Sequence, residues 1–188
     1  RLIAGNNRFI AVASDESRVS SSLTGETWTS VDLPLTANWT DGVWGGDKFV
    51  LIADDTDIVL SSTDGETWTA GSIPNDATAD STLDSTIAQW TRVSYGNGRY
   101  VAVSANDLAT ATSTDGENWT RHDSVLPEQA WNIADLEFGA GRFVLVDTTG
   151  LTAYSFDGIT WYSGNAIVGT VEKMKYSQGI FFALTNTA

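Results

Sequence analysis

The sequence predicts an all-β fold, a β-propeller of four-stranded antiparallel blades, and two repeated patterns predict it. The first is a corner of the form Ser-x-Asp-Gly-x-Thr-Trp, whose tryptophans are Trp28, Trp68, Trp119 and Trp161. The second is a glycine-rich turn that leads into a basic, an aromatic and a β-branched residue, and it begins at Gly5, Gly45, Gly96 and Gly139. Short meanders that repeat about every 40 residues are typical of propeller blades, which cover their faces by stacking on one another.

Each repeat divides into four strands, shown here by the second unit. Strand A is predicted near Asp41–Trp44, strand B at Lys48–Ala53, strand C at Ile58–Ser62 and strand D at Thr67–Ala70. Strand B alternates and is rich in β-branched and aromatic residues, as half-buried strands are. The glycine-rich motif forms the turn between strands A and B, and Asp54–Asp57 forms the turn between strands B and C.

The repeats predict one propeller segment that contains four complete blades and part of a fifth. The predicted blades lie at approximately 1–33, 39–74, 90–126 and 132–166, and the partial blade lies at 170–188. All three prolines, Pro34, Pro74 and Pro127, fall in the crossovers from strand D to the next strand A, where proline is tolerated. We therefore expect a segment of a ring of about six to eight blades, in a larger chain or assembly that supplies the missing strands.

The composition restricts the partners. The chain of 188 residues has 24 acidic and 10 basic side chains, a formal net charge of −14 and no cysteine. This charge disfavours nucleic acid and anionic membrane surfaces, because both attract clustered Lys and Arg. The lack of cysteine excludes disulfides and zinc sites built from cysteine. The sequence contains no apolar run of about 18 residues, so membrane insertion is not predicted. Neutral sugars, cations or basic protein patches remain as partners, and no cofactor or metal is predicted.

The repeated corner has the residues that a tight turn requires. Asp64, Asp115 and Asp157 can accept hydrogen bonds from backbone N–H groups two or three residues later, and the following glycine adopts the left-handed conformation. The tryptophan then folds back between sheets. Thr24 replaces the aspartate in blade one, so a looser turn is expected there. The residues predicted to build the four corners are Ser22, Thr24, Gly25, Trp28, Ser62, Asp64, Gly65, Trp68, Ser113, Asp115, Gly116, Trp119, Ser155, Asp157, Gly158 and Trp161.

This corner resembles the Asp-box, or BNR repeat, of sialidase-like proteins and of many non-enzymatic propellers. The resemblance recurs four times in phase and covers most of the chain. It implies a β-propeller in which the corners lie at the periphery, away from any active site, so the aspartates are interpreted as structural. Repeats that combine both motifs are also similar to those of phage tail and tail-fibre propellers.

Three tryptophans are the candidate ligand-binding residues. The antiparallel order places the A–B turns and the corners on one face, and the B–C turns and crossovers on the other. Trp39, Trp90 and Trp131 stand near the ends of three crossovers, so we expect them close to the central axis on the crossover face. Rings in that position could stack on sugar rings, and packing between neighbouring blades is the alternative interpretation.

Two acidic segments are further candidates. The second crossover, 75–89, is the longest, and it is either a functional inserted loop or a solvated linker. Three of its residues are acidic: Asp76, Asp80 and Asp84. The B–C turn of the second blade is also acidic, with Asp54, Asp55 and Asp57. Carboxylates there could bind Ca²⁺, but the spacing lacks the EF-hand pattern and a plain hairpin turn is the alternative.

The catalytic residues that the sialidase resemblance implies are not found. That family uses an arginine cluster, a Tyr–Glu pair, an acid/base aspartate and a Phe/Tyr-Arg-Ile-Pro segment. Here Arg8, Arg99 and Arg142 occupy the repeated A–B turn instead. His122 is the only histidine and is expected at the surface, so no catalytic residue is predicted.

We therefore predict a non-catalytic recognition or structural module of an extracellular or virion protein, similar to a tail or tail fibre. It would bind a glycan or a protein partner through the crossover-loop face. One alternative is a glycoside hydrolase of the sialidase type, which requires two carboxylates at a suitable separation. The other is an assembly-factor propeller, which would show a basic patch on one face.

Overall fold

The computed structural model describes residues 1–14, 16–54, 56–74, 89–123, 125–127 and 131–186. These residues form β-strands joined by turns, and none of them lies in a helix. The strands are β1 (Leu2–Gly5), β2 (Arg8–Val12), β3 (Glu16–Ser22), β4 (Thr29–Gly45), β5 (Lys48–Asp54), β6 (Ile58–Ser62), β7 (Thr69–Ser72), β8 (Trp90–Gly96), β9 (Arg99–Ser104), β10 (Thr110–Ser113), β11 (Thr120–His122), β12 (Ile133–Gly139), β13 (Arg142–Asp147), β14 (Thr152–Ser155), β15 (Trp161–Ser163), β16 (Thr170–Ser177) and β17 (Ile180–Asn186).

The strands form antiparallel sheets, and within each sheet a strand pairs with the strands next to it in sequence. Blade one contains β1 to β3 and the first part of β4, and blade two contains the rest of β4 with β5 to β7. Blade three contains β8 to β11, blade four contains β12 to β15, and blade five contains β16 and β17. The predicted all-β fold of four-stranded antiparallel sheets is therefore confirmed.

The junction between blades one and two differs from the predicted crossover. Strand β4 runs without interruption from one blade into the next, and Pro34 lies inside it. The proline is tolerated because the register shifts there: Arg18 pairs with Asp32, but Glu16 pairs with Ala37. The residues between these two pairs form a bulge, where a missing N–H breaks no ladder hydrogen bond.

Strand β5 explains how the blades stack. Side chains on a strand point alternately to its two faces. Phe49 and Leu51 lie in the hydrophobic cluster shared with blade one, and Val50 and Ile52 lie in the cluster shared with blade three. All four are fully buried, and each burial contributes about 1.5–3 kcal/mol. Both faces of an internal blade are therefore core.

Candidate functional site

A β-bulge occurs at the same place in four inner strands, the strands nearest the axis. In each case one extra residue interrupts the pairing between the inner strand and the next strand of its blade. The bulges lie between Trp39 and Asp41, between Trp90 and Arg92, between Ile133 and Asp135, and between Val171 and Lys173. The residue that follows every bulge is charged.

The charges that follow the bulges alternate in sign from blade to blade. Arg1 is the counterpart in blade one, since its carbonyl oxygen accepts the N–H of Val12 directly after the last pair of β1 and β2. We call this set the axial charge ring; in blade order it is Arg1, Asp41, Arg92, Asp135 and Lys173. The ring was not predicted from the sequence, because a position whose charge changes sign in every repeat does not stand out as a repeated residue.

Ion pairs connect neighbouring members of the ring. Arg1 Nε lies 2.6 Å from Asp41 Oδ1, although this contact lacks hydrogen-bond alignment. Asp135 has a cation on each side: Arg92 Nε at 3.8 Å from Oδ1, and Lys173 Nζ at 3.8 Å from Oδ2. Each basic residue therefore neutralises a carboxylate of an adjacent blade.

The two ring carboxylates also bind the backbone of the following blade. Asp41 Oδ2 accepts the N–H of Val93 at 3.2 Å, and Asp135 Oδ2 accepts the N–H of Met174 at 2.9 Å. The two aspartates are 2% and 1% exposed. Burial raises the pKa of Asp41, while the charge of Arg1 and the N–H of Val93 oppose that rise. A buried charge costs several kcal/mol unless it is paired, so the ring holds the blades in one relative arrangement.

A cavity of about 200 Å³ lies among the inner strands. Its polar lining includes Arg1, Ser94, Glu137 and Lys175. Lys175 Nζ donates to Glu137 Oε1 at 2.8 Å, and the side chain of Lys175 is 73% exposed. Glu137 Oε1 also accepts the N–H of Tyr176, which holds the carboxylate in place. This axial pocket therefore presents an ammonium group to solvent and can bind carbonyl or carboxylate oxygens.

The three candidate tryptophans are buried and do not line the axial pocket. Trp39, Trp90 and Trp131 are 4%, 1% and 3% exposed, and each lies in a hydrophobic cluster between two blades. Trp39 Nε1 donates to the carbonyl oxygen of Glu16, and Trp131 Nε1 donates to that of Pro127. A sugar ring has no open face to stack on, so the expected aromatic platform does not exist in this structure.

The three tryptophans do not occupy equivalent positions in their blades. Trp39 and Trp90 directly precede the bulges of their strands, but the residue in that position in blade four is Ile133. Trp131 lies two residues earlier, outside β12. The difference is present in the sequence, because Trp39 and Trp90 lie six residues before the glycine that ends the inner strand, and Trp131 lies eight residues before it.

The corners are closed by serine as well as aspartate. In all four, the serine Oγ accepts the glycine N–H at 2.8 Å, and the glycine φ lies between 72° and 80°. Asp64 Oδ1 accepts the N–H groups of Glu66 and Thr67, which is why β7 begins at Thr69, two residues later than predicted. These bonds lower the pKa of Asp64 to about 2. Hydrogen bonds from the side chain and backbone of Asn118 likewise lower the pKa of Asp115.

Threonine closes the corner of blade one, where the other three corners have aspartate. Thr24 Oγ1 accepts the N–H of Glu26 at 3.2 Å, a longer bond than those made by Asp64. This is the corner at which the sequence predicts a looser turn, because Thr24 stands in the position of the aspartate.

The Thr24→Asp variant is expected to raise the free energy of unfolding by about 1 kcal/mol at neutral pH, because a carboxylate accepts two backbone N–H groups here. The folded pKa of Asp64, about 2, lies below its ordinary 3.8. Stabilisation by such a carboxylate is therefore complete above pH 3.8 and disappears as the pH falls through about 2. Thermal unfolding across this range tests both statements.

The matched control for that variant is Thr24→Asn, whose amide accepts hydrogen bonds without a charge. Its gain should stay constant down to low pH. A Thr24→Asp gain that persists below pH 2 would contradict a carboxylate origin.

His122 lies in β11 and is half-buried rather than exposed. Its Nε2 lies 3.0 Å from Thr112 Oγ1. Burial lowers the pKa of His122, and the charge of Arg99 lowers it further. Among the described residues, no carboxylate hydrogen-bonds to the other ring nitrogen, so the arrangement of a nucleophile, a base and an orienting acid is not assembled here.

Several acidic candidates lie outside the described residues. These are Asp55, Asp76, Asp80 and Asp84. Within the described ranges, no three His, Cys, Asp or Glu side chains come together in a way that could hold a metal ion. The same ranges contain no helix that could cross a membrane.

No family model matches the chain, and no curated protein sequence matches it. Solved structures do match its fold. One is of YCF48 bound to D1 peptide, with a TM-score of 0.68 and 18% identity, covering 99% of this chain and 59% of that one. Virginiamycin B lyase from Staphylococcus aureus has a TM-score of 0.74 and 12% identity, with coverages of 91% and 56%. BamB from Moraxella catarrhalis has a TM-score of 0.65 and 6% identity, with coverages of 98% and 53%.

These likenesses establish that the chain has a β-propeller fold. Their identities are too low to extend to function, because one fold serves many functions. The chain spans between 53% and 59% of the length of the three structures.

Proposed function

We propose that the chain is a non-catalytic β-propeller module that binds a peptide segment of a protein partner at the axial pocket. The observation that carries this proposal is the Lys175–Glu137 pair, an exposed ammonium held at 2.8 Å by a carboxylate that is only 16% exposed. An incoming carbonyl or carboxylate can take a hydrogen bond from the ammonium while Glu137 stays fixed. A peptide offers such oxygens at every residue.

Two findings support a peptide over other ligands. A structure of similar fold is that of YCF48 bound to D1 peptide, so a propeller of this shape can bind one. A glycan is not part of the proposal, because the tryptophans expected to stack on sugars are buried. Membership of the sialidase-like repeats, the approximate blade boundaries and an extracellular or virion location stay predictions from the sequence.

The non-catalytic part of the proposal rests on the carboxylates of the axial charge ring and of the axial pocket. Asp41 and Asp135 already accept hydrogen bonds from backbone N–H groups and contact neighbouring cations. Glu137 is likewise occupied by Lys175 and Tyr176. Carboxylates that are engaged in this way hold the fold together and are poor acids or bases for a substrate. A lyase of similar fold exists, so the fold alone does not decide this question.

Selection of a random-peptide phage library on the chain tests the proposal. Peptides that bind are expected to lose at least about tenfold in affinity for the Lys175→Glu variant, which reverses the charge at the pocket mouth. The binding constants are measured by calorimetry on synthetic copies of the selected peptides.

The matched control is Arg18→Glu, the same charge reversal at an exposed ion pair with Asp32 on blade one. This variant should bind the peptides as the parent chain does. Equal affinity for the parent chain and for Lys175→Glu would refute the axial pocket as the binding site.

A further inference from the structure

A groove lies between the outer strands of blade three, β10 and β11, and the corner of blade four, which joins β14 to β15. Its volume is about 350 Å³, and its walls include Arg99, Thr112, Asn118, His122 and Ile159. Both blades that form it have four strands, so the groove belongs to an internal junction of the fold. We call it the rim groove.

Two residues of the rim groove depart from the repeat. The residue after the corner glycine is glutamate in blades one to three, but it is Ile159 in blade four. The third residue after the corner tryptophan is glycine or valine in three blades, but it is His122 in blade three. The residues at these two positions in the other blades are Glu26, Glu66 and Glu117, and Val31, Gly71 and Gly164. The two departures lie in different blades, and the fold brings them to one cavity.

The first departure leaves Arg99 without an acidic partner. At the two preceding junctions, the glutamate after the corner glycine pairs with the basic residue at the start of the second strand of the preceding blade. These ion pairs are Arg8 with Glu66 at 2.8 Å and Lys48 with Glu117 at 2.5 Å. Arg99 Nη1 donates instead to the carbonyl oxygen of Asp157 at 2.8 Å, and this is its only side-chain hydrogen bond among the described residues.

A basic side chain without a carboxylate is unusual in this chain, whose formal net charge is −14. Among the described residues, every Lys and Arg forms an ion pair except Arg99 and Arg142. Arg142 lies at the junction with the partial blade five. Arg99 is therefore the basic residue of a complete junction whose remaining N–H donors are available to a ligand.

The second departure adds an imidazole without adding a charge at neutral pH. Burial and the charge of Arg99 lower the pKa of His122, although the charges of Asp157 and Asp123 oppose the shift. The ring is half-buried, and its Nε2 is occupied by Thr112 Oγ1 at 3.0 Å. Among the described residues that line the groove, Arg99 is therefore the only cation at neutral pH.

The rest of the lining consists mainly of hydroxyl and amide groups. Hydroxyl groups both donate and accept hydrogen bonds. Asn118 Nδ2 donates to Asp115 Oδ2 at 2.8 Å, which leaves the amide oxygen of Asn118 as an acceptor. Thr114, Thr120 and Asn118 are exposed, so a ligand in the groove can reach them. The polar lining residues other than Arg99 and His122 are Thr112, Ser113, Thr114, Asn118 and Thr120.

The charges around the groove favour a monovalent anion. Hydrogen bonds from the side chain and backbone of Asn118 lower the pKa of Asp115. Burial raises the pKa of Asp157, but N–H donors from Thr160 and Ile159 outweigh it, so the net shift is downward. Both aspartates are ionised at neutral pH and repel a second negative charge on a ligand. One planar guanidinium fits one planar carboxylate, which it can bind through two parallel hydrogen bonds.

We propose that the rim groove binds a uronic acid residue of an acidic polysaccharide, with the carboxylate on Arg99 and the ring hydroxyls on the threonine and asparagine side chains. A uronic acid carries its carboxylate beside hydroxyl groups on neighbouring carbon atoms, and the groove complements both. An acidic peptide side chain brings the carboxylate without the hydroxyls, and a neutral sugar brings the hydroxyls without the charge. This site is separate from the axial pocket and does not depend on the function proposed for it.

Calorimetric titration of the full chain with trigalacturonate, an alginate trisaccharide and a hyaluronan tetrasaccharide tests the proposal. Saturable binding of at least one of these uronate sugars is expected. The Ile159→Glu variant should bind that sugar at least about tenfold more weakly, because the new carboxylate occupies Arg99. This variant should fold normally, since it introduces the ion pair that Arg8 and Glu66 already form between blades one and two.

Two further variants separate the charge at this position from its size and from the total charge. Ile159→Gln adds a side chain of the same length as glutamate without the charge, so it should weaken binding less than Ile159→Glu. Val168→Glu adds the same charge at an aliphatic residue that is 91% exposed and does not line the groove. The Val168→Glu chain should bind the sugar as the parent chain does.

Several results would overturn the proposal. One is the absence of binding by all three uronate sugars, and another is equal affinity of the parent chain and Ile159→Glu. Equally tight binding of neutral galactotriose or of triglutamate would show that the groove does not recognise a carboxylate together with hydroxyl groups. A loss of sugar binding in Lys175→Glu rather than in Ile159→Glu would assign the sugar to the axial pocket instead.

Discussion

The Asp135→Ala variant is expected to lose about 3 kcal/mol of unfolding free energy, because it leaves a buried N–H and a cation without their partner. Asp135 is 1% exposed, accepts the N–H of Met174 and lies 3.8 Å from both Arg92 and Lys173. Arg92 keeps a hydrogen bond to the carbonyl oxygen of Ala134, which places the loss at the lower end of the range for broken buried pairs. Equilibrium unfolding in urea measures it.

Two controls separate the charge from the hydrogen bond. Asp135→Asn retains an acceptor for Met174 but no charge, so it should lose less than Asp135→Ala. Asp32→Ala removes a carboxylate whose side chain is 78% exposed and paired with Arg18, and it should change stability by less than about 1 kcal/mol. If Asp135→Ala unfolds at the same urea concentration as Asp32→Ala, the axial charge ring does not stabilise the contact between blades.

The stability of the ring depends on its order of signs. Asp41 and Asp135 each lie between two basic members, so every carboxylate has a cation in the blade before it. Reversal of one sign would place like charges next to each other in a buried setting, where repulsion is weakly screened. The ring is therefore expected to favour one arrangement of the blades over others.

The fold could be predicted because its signals are residues that recur unchanged. The corner repeats serine, glycine and tryptophan at fixed offsets, since each of these residue types has a geometric role that others fill poorly. Strand β5 was recognisable for the same reason, because its alternating apolar side chains serve two interfaces. The predicted bounds of the second and third strands of blade two, Lys48–Ala53 and Ile58–Ser62, agree with β5 and β6 to within one residue.

The candidate site could not be predicted, for two physical reasons. The ring position lies four residues before the last residue of each inner strand, but it is basic in three blades and acidic in two, so no residue type repeats there. The ring also depends on a relation between blades, since Asp41 is satisfied by Arg1 and by the backbone of Val93. No single repeat contains that information.

Gly96→Ala is expected to destabilise the chain by about 3 kcal/mol, through a steric clash. A Cβ on Gly96 would lie 2.0 Å from Phe138 Cγ, the ring atom closest to the backbone, which cannot move aside like the end of a flexible chain. The Phe138 ring is also held against Phe143, with centroids 4.9 Å apart. Urea unfolding measures the loss.

The same contact recurs at every junction between blades, so the glycine that ends the inner strand is selected by the next blade. Gly5 meets Trp44, Gly45 meets Tyr95 and Gly139 meets Tyr176, all at distances near 2 Å for an added Cβ. Gly96 has an ordinary negative φ, so alanine there costs nothing in backbone strain and lowers the entropy of the unfolded chain. Any loss of stability is therefore due to the neighbouring ring.

The control is Gly98→Ala, two residues away. Gly98 has no atom within 4 Å of an added Cβ but has a φ of 71°, so alanine there should cost about 1 kcal/mol from left-handed strain alone. The double variant Gly96→Ala with Phe138→Ala should be less destabilised than the sum of its single changes, because removal of the ring makes room for the new methyl group. Strict additivity of the two changes would mean that the aromatic ring of the next blade does not exclude a side chain at position 96.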